Sequence, residues 1–170
     1  MSPFELAEPS SLSEAVALLG QGGGRAIAGG TALMLMMKAG VYQPERLVSL
    51  RRVEARCSEI SATPDGGLRI GAMATLRALE HSPVVQRTAP VITQTMKTLA
   101  NVRVRNVATV GGALAHGDPH MDLPPVLTAL GAQVKTVSAQ GERTLPVSEL
   151  YTGYYETALA DGERIGRAHV

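Results

Sequence analysis

Apolar positions change period along the chain, and the changes mark its elements. Ser11-Leu12-Ser13-Glu14 has the spacing of a capping box, and Leu12, Ala15, Val16 and Leu19 then recur on one helical face. Gly20 to Gly24 ends that run. Arg25-Ala26-Ile27-Ala28 reads as a short buried strand running straight into Gly29-Gly30. Thr31 opens a helix over Ala32 to Ala39, with Lys38 near its end and Gly40 beyond it. That helix carries Leu33, Met34, Leu35, Met36 and Met37, so it is apolar nearly all round and is expected to be buried. Arg46 to Leu50 reads as the next strand. Strand, glycine turn, helix and strand in that order describe a small parallel βαβ unit.

The pattern then changes. Cys57 to Ala62 and Leu68 to Met73 read as strands joined by Pro64-Asp65-Gly66-Gly67. Thr75 caps a short helix over Leu76 to Glu80. After Pro83, Val84, Thr88, Val91, Thr95, Met96 and Leu99 keep helical spacing, with a kink at Pro90. Asp122 caps a further helix whose first turn tolerates Pro124 and Pro125, and Leu123, Val126, Leu127 and Leu130 supply its apolar face. Gln133 to Ala139 and Glu142 to Leu145 flank Gln140-Gly141 as a hairpin. The last residues, Glu163 to Val170, do not read as a further apolar strand. The fold class is therefore α+β. A parallel α/β lobe covers about 1–55, a larger mixed or antiparallel lobe covers about 56–170, and the boundary falls near 51–58.

Composition narrows the function classes. The 170 residues are 45% hydrophobic but only 3% aromatic, so the core is built from Ala, Val, Leu, Ile and Met. A net charge of +1 gives no sign of a nucleic-acid partner. Cys57 stands alone, which excludes an internal disulfide and a protein-bound iron–sulfur or Cys-rich zinc site in this chain. The opening Met1-Ser2-Pro3-Phe4-Glu5 lacks a signal-peptide pattern, so a cytoplasmic location is expected. The apolar run Leu33 to Met37 is too short for membrane insertion.

The chemistry concentrates in two glycine pairs, Ala28-Gly29-Gly30-Thr31 and Thr109-Val110-Gly111-Gly112-Ala113. Glycine lets backbone approach a bulky anion, and successive amides in such turns can point into one concavity. Two turns of this kind suggest a cradle gripping a diphosphate from both sides. The first also precedes a helix N-terminus, so Thr31 and the amides of Gly29 to Ala32 are candidate ligands. Neither segment is a G-x-G-x-x-G or a P-loop. Arg103 and Arg105 read as a solvated basic face rather than phosphate ligands. Asp122 fits either a ribose-hydroxyl acceptor or a plain helix cap. His116 and His120 sit four apart, but Asp118-Pro119 between them disfavours the helix a metal pair would need. Cys57 has no nearby histidine, and no nucleophile elbow is present.

Together these segments resemble the FAD-binding domain of the molybdenum hydroxylase family. The likeness rests on Ala28 to Leu33, Ile70-Gly71-Ala72-Met73-Ala74-Thr75, Arg105 to Gly112, Asp118 to Pro124, and Gly153-Tyr154-Tyr155-Glu156-Thr157-Ala158-Leu159. It runs in order from about residue 3 to 163. It implies two lobes with FAD between them. It assigns diphosphate contacts to Ala28, Gly29, Gly30, Thr31, Ala32 and Leu33, and to Thr109, Val110, Gly111, Gly112 and Ala113. It assigns the adenosine side to Asp122, and packing near the flavin or adenine to Leu99 and Leu159. It further implies an electron-transfer subunit without a catalytic acid or base. A molybdenum cofactor in a large partner subunit and [2Fe–2S] clusters in a small one would feed FAD, which passes electrons to an acceptor.

Two departures keep other readings open. Ala113 stands where many relatives carry Asn or Ser, and the family's C-terminal lobe is expected to be absent from this chain. A shortened scaffold or assembly relative with weak flavin binding is the alternative. A different nucleotide-binding module using the same turns is a more remote one.

Overall fold

The computed structural model describes residues 2–170. Its strands are β1 (Glu5–Ala7), β2 (Gly24–Ile27), β3 (Arg46–Ser49), β4 (Ile60–Ala62), β5 (Leu68–Gly71), β6 (Gln133–Ser138), β7 (Gly141–Pro146), β8 (Tyr151–Gly153), β9 (Glu156–Thr157) and β10 (Arg164–His169). Its helices are α1 (Leu12–Gly20), α2 (Leu33–Lys38), α3 (Leu76–His81), α4 (Pro83–Thr88), α5 (Pro90–Thr98), α6 (Val102–Val107), α7 (Val110–His116) and α8 (Leu123–Ala129).

The N-terminal sheet is parallel, in the order β1-β3-β2. The α1 helix begins as its sequence predicts. Ser11 Oγ accepts from the Glu14 amide, while Glu14 answers on the Ser10 amide, one residue before the cap. A small core of Ala15, Leu19, Val48 and Leu50 joins α1 to the sheet. The α2 helix corrects the expectation of burial. Only Met37 is buried, Leu35 is 66% exposed, and Thr31 does not cap the helix. Six residues make under two turns, too few to be enclosed on every side.

The second sheet is antiparallel, in the order β4-β5-β10-β6-β7. One face packs on α4 and α7, and with α3, α5 and α8 these form the main core, which includes Leu68, Ile70, Leu76, Ile92, Met96, Leu114 and Leu127. Its central strand, β10, was not legible as a strand. A bulge between Ile165 and Arg167 shifts the register, so Ile165 and Ala168, three apart, both reach the core. That spacing breaks the two-residue alternation by which strands are read. Cys57 also departs from the strand reading and lies in a 3₁₀ turn, Ala55–Ser58, before β4. The helix expected to kink at Pro90 is two helices, broken where Ala89 turns to φ −141° and ψ 69°. No helix among the described residues is long and apolar enough to cross a membrane.

The two sheets are tied through α1. Glu54 accepts from the Leu12 amide at 2.9 Å, and Arg164 of β10 donates to the Leu12 carbonyl at 3.0 Å.

Candidate functional site

The first glycine turn leaves the C-terminal end of β2 and enters α2. The Met34 amide closes onto Gly30 O at 3.0 Å, but the amides of Gly29, Gly30, Thr31 and Ala32 meet no protein acceptor among the described residues. Gly30 holds φ +72°, a conformation that side chains resist. A Cβ on Gly29 would stand 2.2 Å from Val107 O and 2.9 Å from Ala108 Cα. The first turn thus rests directly on the backbone leading into the second glycine pair. The lack of a side chain at Gly29 is what lets the two motifs meet.

The second pair is not a turn but the first turn of α7. Thr109 caps that helix, its hydroxyl accepting from the Gly112 amide at 3.1 Å. Three of the other four amides are taken as well, and that of Thr109 meets no protein acceptor among the described residues. Val110 donates to Ala74 O at 2.9 Å, Gly111 to Ala72 O at 2.8 Å, and Ala113 to Thr109 O at 2.9 Å. A Cβ on Gly111 would fall 2.7 Å from Ala72 Cβ, so this glycine serves close packing of α7 beside β5. The expected two-sided convergence of amides is therefore narrowed. Four open amides come from the first turn, while the second motif presents the Thr109 amide and hydroxyl and a surface kept low by Gly112.

Both motifs line one crevice of about 880 Å³, toward the upper end of the roughly 300–1,000 Å³ range of small-molecule sites. Ala28, Gly29, Gly30, Thr31, Ala32, Leu33, Leu99, Thr109, Gly111, Gly112, Ala113 and Leu159 all stand on its wall. Val110 does not. It is wholly buried in the main core. Asp122 does not line the crevice either. It is exposed, lies in helical backbone, and makes no cap bond, which corrects its reading as a side-chain cap. Its neighbour Met121 does line the wall.

Several lining residues carry no warning in the sequence. Ala100 at φ 52° and Tyr155 at φ 58° are the two described non-glycine residues with positive φ, and both face the crevice. An alanine or tyrosine in left-handed backbone has no compositional signature. The signal is strain, which only coordinates reveal. His116 packs tilted on Tyr155 with ring centroids 5.1 Å apart. Burial pulls the His116 pKa down and Arg25 adds to that, against Asp118, so the ring is neutral near pH 7. His120 instead lies exposed with its Nδ1 3.1 Å from Asp118 Oδ1. Arg25 sits over the Tyr42 ring at 5.8 Å, and both line the crevice. Burial pushes the Cys57 thiol up, which leaves it a poor nucleophile.

The family described as "FAD binding domain in molybdopterin dehydrogenase" matches residues 2–170. The chain belongs to this family. The resemblance drawn from its motifs is thereby borne out. This FAD-binding domain is 38% identical over 164 residues to the carbon monoxide dehydrogenase medium chain of Hydrogenophaga pseudoflava, covering 94% of the chain and 56% of that protein. It is 31% identical over 170 residues to the glyceraldehyde dehydrogenase medium chain of Sulfolobus acidocaldarius, covering 98% of the chain and 59% of that protein. Among solved structures, quinoline 2-oxidoreductase from Pseudomonas putida 86 superposes with a TM-score of 0.96 at 32% identity, over 99% of the chain and 59% of the matched one. The domain thus spans somewhat over half the length of the relatives it matches.

Proposed function

We propose that this chain holds FAD in the crevice between its two sheets, as the electron-transfer part of a molybdenum-dependent hydroxylase or dehydrogenase. The observation that carries the reading is the row of four open amides at Gly29 to Ala32, set against the Thr109 hydroxyl. Open amides at a helix start suit an oxyanion, because they supply donors without a counter-charge. The crevice fits the rest of the ligand as well. Leu33, Met36, Leu99 and Leu159 give apolar wall for flat rings.

FAD, when bound, supplies the redox chemistry. The chain's own residues bind and orient it. The amides of Gly29 to Ala32 would hold the diphosphate, the Thr109 hydroxyl would donate a hydrogen bond to it, and the leucines would exclude water from the rings. No side chain is needed as acid or base. On this reading electrons arrive from [2Fe–2S] clusters of a small partner subunit, after a molybdenum-bearing large subunit has oxidised its substrate. They then leave to an acceptor. The medium chains of carbon monoxide and glyceraldehyde dehydrogenase, to which the domain is similar, support that placement.

The test is direct. The protein is expected to purify yellow, or to quench flavin fluorescence on titration with FAD to one equivalent. A colourless protein that leaves FAD fluorescence unchanged at micromolar concentration would refute the proposal.

A further inference from the structure

Arg105 was expected to be solvated, yet its side chain is only 11% exposed. Its Nε donates to Glu80 Oε2 at 3.0 Å, and the Glu80 side chain is only 12% exposed. Its Nη1 donates to Leu99 O at 2.9 Å and to Ala100 O at 3.3 Å. These two carbonyls belong to the connection between α5 and α6, where Ala100 holds φ 52°. Left-handed backbone at a non-glycine residue is strained and persists only where surroundings enforce it. Leu99 and Ala100 both stand on the crevice wall, whereas Arg105 does not.

We propose that the Glu80–Arg105 pair is a positioning lock. It holds the strained Leu99-Ala100 segment in the shape that forms one wall of the crevice. The guanidinium fits this task because one planar fork can engage a carboxylate and two carbonyls at once. Glu80 on α3 fixes the fork, and the fork fixes the segment. Arg105 touches no ligand; it acts through Ala100. The inference rests on the FAD reading for its consequence, but the lock itself is ligand-independent.

Two readouts separate the lock from its consequence. The first is the backbone of Ala100 without ligand, followed by Cα and Cβ chemical shifts. Arg105→Ala is expected to move Ala100 out of positive φ, and unchanged shifts would overturn the lock. The second is FAD affinity by fluorescence. Arg105→Ala is expected to weaken FAD at least about tenfold, and Arg105→Lys, which loses the fork, to remain weak. Adding Ala100→Gly to Arg105→Ala should recover most of the affinity, since glycine adopts positive φ without strain. The melting temperature should stay low, because the ion pair is still missing. Recovery of affinity without recovery of stability is an outcome that a merely structural arginine would not give. Wild-type affinity in Arg105→Ala, or no recovery with glycine, would sink the proposal. Glu80→Gln, a milder change at the same pair, replaces Arg105→Ala if the latter does not fold. If the wild type takes no FAD, the flavin reading fails, and the chemical shifts alone decide the lock.

Discussion

Gly29 carries more of this site than any other single residue. Its missing Cβ lets the first turn touch the Val107-Ala108 backbone, and the neighbouring amides are left unbonded. Gly29→Ala would put a carbon 2.2 Å from Val107 O. That clash falls on backbone and has no soft side chain to absorb it. It should separate the two motifs, cost on the order of 1–3 kcal/mol of stability, and weaken FAD at least tenfold. Urea unfolding and FAD titration on the same variant check both. An alanine variant with wild-type stability and affinity would mean the two motifs need not touch. At this scale the glycine pairs were legible in the sequence, because glycine in a small-residue turn is a compositional signal. Their division of labour was not. Which amides are taken depends on Ala72 and Ala74 reaching α7 from far along the chain, and no local pattern encodes that.

Among the elements, β10 and its approach set two testable features. Arg164 is 4% exposed, with Nε and Nη1 unpartnered and one bond to Leu12 O. A buried charge with so few partners contributes little net stability. Arg164→Met should therefore leave the urea midpoint unchanged or raised; a large loss would show that the bond to Leu12 holds the sheets together. Just before β10, Arg143 of β7 holds the Glu163 carboxyl down to about 2, helped by Thr136 and the Ala160 amide. The folded pKa lies below the unfolded value, so the folded state binds the proton less readily. The stabilisation is full above about pH 4.5 and is lost as pH falls toward about 2. Arg143→Ala should flatten the stability profile in that window while lowering stability at pH 7, as measured by urea unfolding across pH. An unaltered acid limb would contradict the assignment. The parallel unit, the hairpin and the Thr75 cap followed from sequence, because each has local punctuation. The β10 strand did not. Its bulge disrupts alternation, and a buried arginine reads as surface. The α2 helix was misjudged in the opposite sense, since five apolar residues in a row do not reveal that the helix is too short to be enclosed.

For the whole molecule, two sheets of different character meet along a seam that opens into the crevice. The parallel sheet delivers the open turn, and the antiparallel sheet with its helices delivers Thr109, Leu99 and Leu159. The family resemblance implies such a division of the site, and its motifs keep their order across nearly the full chain. Asp122 and Val110 show its limit. A motif carries its neighbours along whether or not each one faces the ligand. The central claim is that backbone amides at the seam grip a diphosphate. Its sharpest test compares dissociation constants of FAD and riboflavin for the wild-type protein. FAD is expected to bind at least about a hundredfold more tightly, since riboflavin lacks the diphosphate and the adenosine beyond it. Equal affinity for the two would contradict it.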